Sequence, residues 1–154
     1  MVEYIIANSD DEYVEASYLF KEYAHWLNID LGFQKFSEEL LQIKSMYGSP
    51  TGCIILCKSE QEIIGCIAIR KIDPEVAEFK RMYIKPNFRK KGIGVALLQR
   101  AISQAEMFGY KRIRLDTLSN MLPAISLYKK NGFCEIPAYY YNPEKTAVYF
   151  EKII

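Results

Sequence analysis

Residues 78–94, with the sequence EFKRMYIKPNFRKKGIG, decide how the chain folds. They begin as a strand pattern, turn at Pro86, and end in two glycines that precede a long helical pattern. From Phe79 through Ala105 there is no acidic residue, whereas six cations crowd around the turn. These cations are Lys80, Arg81, Lys85, Arg89, Lys90 and Lys91.

The two glycines at the predicted helix start favour the binding of a phosphate-bearing ligand. The first N–H groups of a helix have no partner inside the helix, and the helix dipole adds partial positive charge there. Gly92 and Gly94 carry no side chain that would hold a phosphate away from these donors. The motif is not the dinucleotide fingerprint, because Leu97 occupies the place of its third glycine, and no Gly-Lys-Ser/Thr occurs. Taken alone, a basic run such as residues 89–91 is more often a solvated surface than a binding site.

Outward from this stretch, the sequence alternates between strand and helix patterns. Ser9 and Glu12 have the spacing of a capping box, which predicts a helix from Ser9 to about Leu27. Further helices are predicted over residues 37–46, 92–107 and 121–130. Strands are predicted over residues 2–7, 53–57, 63–72, 77–84, 111–117, 133–136 and 146–153. Because hairpins and helical crossovers are mixed, we expect a single α/β domain over residues 1–154 with a mixed sheet.

The composition supports one compact domain and argues against several kinds of site. The chain has 154 residues, 50% of them hydrophobic and 14% aromatic, which suffices for one core. Its formal net charge of +1 disfavours a chain-wide binder of nucleic acid or of membrane surfaces. Cys53, Cys57 and Cys66 lie in apolar runs, no CxxC pair occurs, and His25 is the only histidine. We therefore expect no disulfide framework, no metal site and no Ser-His-Asp or Cys-His triad.

Targeting and membrane segments are not expected either. The N-terminal residues show no basic segment followed by an apolar stretch, so they do not resemble a secretory signal. The longest nearly continuous apolar run, residues 63–69, is far shorter than the roughly 20 residues of a membrane span. The sequence predicts a soluble, cytoplasmic protein without a membrane partner.

Two spaced motifs resemble those of the GNAT superfamily of N-acetyltransferases. Residues 89–94, RKKGIG, follow a strand and resemble the family's Gln/Arg-x-x-Gly-x-Gly/Ala loop, which wraps the pyrophosphate of acetyl-coenzyme A. Residues 120–133, NMLPAISLYKKNGF, resemble the family's later motif, with Asn120 and Tyr128 at its spacing. The resemblance implies a mixed, mostly antiparallel sheet of about seven strands flanked by about four helices, in which the fourth and fifth strands splay apart.

The resemblance also implies where acetyl-coenzyme A binds. The pantetheine arm would lie between the splayed strands and pair with the backbone of Met82, Tyr83 and Ile84. The pyrophosphate would be held at the loop by Arg89, Lys90, Lys91, Gly92, Ile93 and Gly94. Asn120 would hydrogen-bond the pantetheine arm, although an ordinary loop or helix-cap role fits its place equally well.

Two residues match catalytic positions of the family. Glu78 matches a glutamate that acts as a base, directly or through water, and its alternative role is an ion pair with Lys80 or Arg114. Tyr128 matches a tyrosine that donates a proton to the departing thiolate, and its alternative role is core packing. The implied reaction is direct acetyl transfer to a primary amine of a small molecule or peptide within a ternary complex. The alternatives are a non-catalytic acyl-coenzyme A sensor or scaffold and a nucleic-acid binder that uses the basic turn.

The acceptor side is implied only in outline, as residues 26–36 and the three consecutive tyrosines at residues 139–141. Such tyrosines serve equally well in hairpin packing or in the contact of a homodimer. Glu22, Asp30 or Asp73 could meet a cationic acceptor, and the sequence singles out none of them.

Overall fold

The computed structural model describes residues 1–32 and 35–154, which form seven strands and five α-helices. The strands are β1 (Val2–Ile6), β2 (Cys53–Ser59), β3 (Glu62–Asp73), β4 (Val76–Ile84), β5 (Arg112–Leu118), β6 (Cys134–Ile136) and β7 (Ala147–Ile153). The helices are α1 (Asp10–Leu27), α2 (Phe36–Leu41), α3 (Ile43–Met46), α4 (Ile93–Met107) and α5 (Leu122–Lys130), and a short 3₁₀ turn covers Pro86–Phe88.

The strands form one sheet in the order β1-β2-β3-β4-β5-β7-β6. Every neighbouring pair is antiparallel except β4 and β5, which are parallel and are joined through α4. Parallel neighbours need such a crossover because a tight turn cannot connect them. The predicted mixed, mostly antiparallel sheet of seven strands is therefore confirmed.

The helices cover both faces of the sheet. Along β3, Cys66 and Ala68 belong to the core beneath α1 and α3, whereas Ile67 and Ile69 belong to the core beneath α4 and α5. This alternation is the two-residue period of a strand that is buried on both faces. The sheet is consequently the middle layer of the domain.

The predicted capping box is present, whereas the helix predicted over residues 37–46 is two helices. The Ser9 Oγ atom accepts a hydrogen bond from the Glu12 N–H at 3.2 Å, and the Glu12 Oε1 atom accepts one from the Ser9 N–H at 3.1 Å. Gln42 separates α2 from α3 with non-helical dihedral angles. Glu39 and Ile43 are buried on either side of this break, so tertiary packing rather than helix propensity sets it.

The cysteines of the apolar runs are buried, as predicted. Cys53, Cys57 and Cys66 are each at most 4% exposed. Burial raises the pKa of the Cys53 and Cys57 thiols to about 12 and also raises the pKa of Cys66. The three thiols stay protonated at neutral pH and pack as small hydrophobic groups.

β4 and β5 separate soon after they meet. The register pairs residues 76–78 with residues 112–114, and it contains no further pair between these two strands in the described part of the chain. β4 nevertheless continues to Ile84 and β5 to Leu118. The predicted splay is confirmed, and it leaves the facing edges of the two strands beside a gap.

Candidate active site

A β-bulge at Arg81 shapes the β4 side of this gap. Ala68 of β3 pairs with Lys80 and Cys66 pairs with Tyr83, so β4 contains one extra residue, and the φ angle of Arg81 is 59°. A bulge bends its strand and re-aims the residues that follow it. The bulge therefore sets the direction of the Tyr83 and Ile84 backbone at the gap.

A buried ion pair fastens the bulge to α2. The Arg81 Nε and Nη2 atoms donate to the two Glu39 oxygens at 3.0 and 2.7 Å, and the Tyr47 hydroxyl also donates to Glu39 at 3.0 Å. Lys80 is likewise buried, 4.0 Å from Glu78. The expectation that Lys80 and Arg81 crowd around the turn is therefore wrong, because strand alternation and the bulge direct both side chains inward.

The N-terminus of α4 offers an open cradle at one end of the gap. Gly92 is the N-cap residue with a φ angle of 78°, and a Cβ atom added there would meet nothing within 4 Å. A Cβ on Gly94 would approach the Met82 Cε atom at 3.8 Å, which places this turn next to β4. The N–H groups of the first turn lack intrahelical partners. Together with the exposed Lys90 and Lys91, this cradle suits a pyrophosphate.

Arg89 lies beside the cradle rather than in it. Its Nε atom donates to the Ile84 carbonyl at 2.8 Å, and its guanidinium lies 4.3 Å from the centroid of the Trp26 ring. Its own N–H donates to the Pro86 carbonyl at 3.3 Å. Arg89 thus links the loop to the end of β4 and to α1, whereas Lys85 pairs with Glu62 at 3.0 Å.

Tyr128 approaches the gap from α5. It is 7% exposed, and its hydroxyl donates to the Met82 Sδ atom of β4 at 3.8 Å. Burial raises the pKa of Tyr128, and the nearby Tyr23 and Asp116 raise it further. Tyr23 lies on α1, which packs on the opposite face of the sheet from α5. The phenol keeps its proton at neutral pH, as a proton donor must.

Glu78 lies on the other face of the sheet and is 1% exposed. Its Oε1 atom accepts from the Arg70 Nε at 2.7 Å, and its Oε2 atom accepts from the Tyr139 hydroxyl at 2.5 Å. Burial alone would raise the pKa of Glu78, but Lys80, Arg70 and Tyr139 outweigh burial and lower it. Glu78 is therefore ionised at neutral pH. Of its two expected ion-pair partners, Lys80 lies close, whereas Arg114 pairs with Glu151 at 2.8 Å.

A cavity of about 40 Å³ opens next to these groups, between the end of α1, the splayed strands and the turn before β7. Its charged lining residues are Lys80, Arg81, Asp116 and Glu144. Asp116 of β5 accepts a hydrogen bond from the Tyr140 hydroxyl at 2.8 Å, and burial raises its pKa. Sequence reasoning did not single out Asp116. The strand that carries it reads RIRLDTL, so Asp116 alternates with Ile113 and Leu115 on the same side as Arg112 and Arg114, a pattern that is equally typical of a solvated strand face.

The expected acceptor-side residues are only partly brought together. Ile29 and Leu31 line the cavity, whereas residues 33 and 34 of the expected 26–36 segment lie outside the described residues. The three carboxylates named as candidates have other partners. Glu22 accepts from the Tyr83 hydroxyl at 2.7 Å, Asp30 from the Gly32 N–H at 2.8 Å, and Asp73 from N–H groups of its own turn.

The remaining candidates occupy exposed positions. Asn120 lies in the turn after β5, and Tyr141 is 75% exposed.

Among residues 1–32 and 35–154, no helix combines the length and the apolar character needed to cross a membrane. The same residues contain no group of three or more His, Cys, Asp or Glu side chains that could hold a metal ion.

Known proteins are similar to this chain in sequence and in fold. The sequence model of the acetyltransferase (GNAT) family matches residues 10–133. An uncharacterised N-acetyltransferase of Schizosaccharomyces pombe is 37% identical over 133 residues, which cover 85% of this chain and 82% of that protein.

Two crystal structures illustrate the similarity in fold. An acetyltransferase from Streptococcus agalactiae superposes with a TM-score of 0.81 at 22% identity, covering 99% of this chain and 98% of that one. The PaiA N-acetyltransferase of Thermoplasma acidophilum, solved in complex with coenzyme A, superposes with a TM-score of 0.75 at 21% identity, covering 100% and 99% of the two chains. By sequence and by fold, the chain belongs to the acetyltransferase (GNAT) family and is an acyltransferase.

Proposed function

We propose that this chain is an acetyl-coenzyme A-dependent N-acetyltransferase that acetylates a primary amine of a small molecule or peptide. The observation that carries the proposal is the gap between β4 and β5, with a protonated phenol on one face of the sheet and the carboxylates of Glu78 and Asp116 on the other. Acetyl-coenzyme A supplies the acyl group as a thioester. The structural relative from Thermoplasma acidophilum was solved with coenzyme A, which agrees with this choice of co-substrate.

The cradle and the strand edge fit such a co-substrate. The backbone N–H groups of Gly92, Ile93 and Gly94 would hold the pyrophosphate, with charge from Lys90 and Lys91. The backbone of Met82, Tyr83 and Ile84 would pair with the pantetheine amides as an added strand would, and Asn120 would donate to the same arm. Arg89 would keep the loop in place through its contacts with Ile84 and Trp26.

Direct transfer within a ternary complex forms a C–N bond and breaks a C–S bond. The ammonium form of the acceptor gives up two protons, of which one goes to a base and one ends on the leaving sulfur. Tyr128 donates its proton to that sulfur, because its raised pKa keeps the phenol protonated, and the second proton of the acceptor then restores the phenol. Glu78 serves as the base through an intervening water, since both of its oxygens already have protein partners.

The experiment is thiol release from acetyl-coenzyme A across a panel of primary amines, comparing wild type with Tyr128→Phe. The hydrogen-bond acceptor of the Tyr128 hydroxyl among the described residues is a thioether sulfur, which is a weak acceptor, so removal of the hydroxyl should leave the melting temperature nearly unchanged. The rate should fall by roughly 10²–10⁴-fold, which is the usual contribution of a proton donor. Tyr110→Phe is the matched control for the loss of a tyrosine hydroxyl. The Tyr110 hydroxyl donates to the Thr51 carbonyl beyond the C-terminal end of α4, whereas the cradle lies at the N-terminal end of this helix.

A non-catalytic sensor gives the opposite result. Acetyl-coenzyme A would then raise the melting temperature, while no amine would release thiol from it. Equal rates for wild type and Tyr128→Phe would remove Tyr128 from the reaction.

A further inference from the structure

The charges around the cavity do not balance. Among the described residues, the charged side chains that line the cavity are Lys80, Arg81, Asp116 and Glu144. Ion pairs add Glu39 beside Arg81, Glu78 beside Lys80, and Arg70 beside Glu78. Three cations against four carboxylates leave one negative charge. Since charges interact more strongly where water is excluded, such a cavity attracts a cation and disfavours a further anion.

Asp116 is the carboxylate of this set that both lines the cavity and lies on the splayed strands. It follows the point where pairing between β4 and β5 ends at Arg114. The Tyr140 hydroxyl donates to its Oδ2 atom at 2.8 Å, which fixes the carboxylate in place. A carboxylate has about four acceptor sites, so it can also accept hydrogen bonds from an ammonium group.

Five of the eleven described residues that line the cavity are apolar, whereas Thr117 and Asn142 add uncharged polar groups to its wall. Its apolar lining residues are Tyr23, Leu27, Ile29, Leu31 and Leu118. A volume of about 40 Å³ has room for about three water molecules, which suits the reacting end of an acceptor and a short apolar stem. An acceptor carboxylate would find Arg81 already bound twice by Glu39 and Lys80 already beside Glu78.

We propose that the acceptor is a primary ammonium on an apolar substituent that carries no carboxylate, and that Asp116 binds this ammonium. The inference rests on the proposed acetyltransferase activity and names the acceptor class and the residue that selects it. Asp116 contributes the anion, Tyr140 positions it, and the apolar lining residues contact the apolar substituent of the acceptor.

Two matched pairs of acceptors test the class, phenethylamine against phenylalanine and propylamine against γ-aminobutyrate. At saturating acetyl-coenzyme A, kcat/KM from thiol release should be at least about tenfold higher for the amine of each pair. Asp116→Asn should lower kcat/KM for both amines by about 10- to 100-fold, as expected when a charged hydrogen-bond partner is lost. The loss should appear mainly as a higher KM for the amine, with the KM for acetyl-coenzyme A unchanged.

Asp11→Asn is the control, because this exposed aspartate lies in the first turn of α1 and should leave every parameter unchanged. Thermal melting checks that Asp116→Asn is folded, and Asp116→Glu should recover part of the amine KM. If Asp116→Asn does not fold, the matched pairs and Asp116→Glu still decide the question.

The outcomes separate this inference from the proposed function. Faster thiol release with the amino acids, or an amine KM that Asp116→Asn leaves unchanged, would overturn the inference while the acetyltransferase activity stands. Acetyl-coenzyme A binding without thiol release from any amine would overturn the activity and the inference with it.

Discussion

The Glu39–Arg81 ion pair holds the bulge of β4 in place, and its removal has a calculable cost. Glu39 is 2% exposed and Arg81 is 6% exposed, and Glu39 accepts three hydrogen bonds, two from Arg81 and one from Tyr47. Glu39→Gln turns an amide NH₂ toward these donors and leaves the Arg81 guanidinium buried without its counter-ion. Breaking a buried ion pair costs about 3–5 kcal/mol. At about 2–4 °C per kcal/mol for a domain of this size, the melting temperature should fall by roughly 6–20 °C.

The assay is thermal or urea unfolding of wild type, Glu39→Gln and the control Glu38→Gln. Glu38 is the exposed neighbour on the same helix, so its substitution should stay within about 0.5 kcal/mol of wild type. The double variant Glu39→Leu with Arg81→Met should regain much of the loss, because apolar side chains can replace a buried ion pair. A melting temperature of Glu39→Gln within about 2 °C of wild type would refute the anchoring role of this pair.

Two further substitutions probe the cradle and the carboxylate of β4. Gly92→Ala and Gly109→Ala both place a Cβ atom in open space at a positive φ angle, 78° and 92°, so both should lose a similar stability of about 1–2 kcal/mol. Only Gly92→Ala should weaken coenzyme A binding in calorimetry, and equal affinities would count against the cradle. Glu78→Gln should slow thiol release mainly below the pKa of the amine, about 10, because the acceptor must lose a proton there before it attacks. A pH profile of the rate equal to that of wild type would exclude Glu78 as the base. The folded protein lowers the pKa of Glu78, so ionised Glu78 stabilises the fold above the ordinary pKa of about 4.3. This stabilisation is lost as the pH falls through the folded pKa. In a plot of melting temperature against pH, Glu78→Gln should therefore reduce the fall of the melting temperature at acidic pH.

The parts of the fold that depend on local patterns could be predicted from the sequence. The apolar alternation and capping signals located the seven strands and the helices α1, α4 and α5 to within one or two residues. The left-handed residue after α5 was also predictable, because Asn131 and Gly132 form a pair that is typical of a helix end, and Gly132 takes a φ angle of 90° there. The break at Gln42 was not predictable, because it depends on which residues of α2 and α3 are buried.

The bulge at Arg81 and the cavity escaped prediction for a physical reason. An arginine at a φ angle of 59° contradicts local preference and is stabilised by Glu39, which lies 42 residues earlier. The contact of Tyr140 with Asp116 joins residues that only the folded sheet brings together. Motif spacing singled out the loop and Tyr128 as candidates, but it carried no information about charges that converge from distant elements.

The decisive measurement is a crystal structure of the protein with acetyl-coenzyme A. We expect the pyrophosphate at the N–H groups of residues 92–94, the pantetheine arm between β4 and β5, and the sulfur within hydrogen-bond reach of the Tyr128 hydroxyl. A ligand bound outside this gap, or β4 and β5 paired along their full length in the complex, would contradict the proposed site.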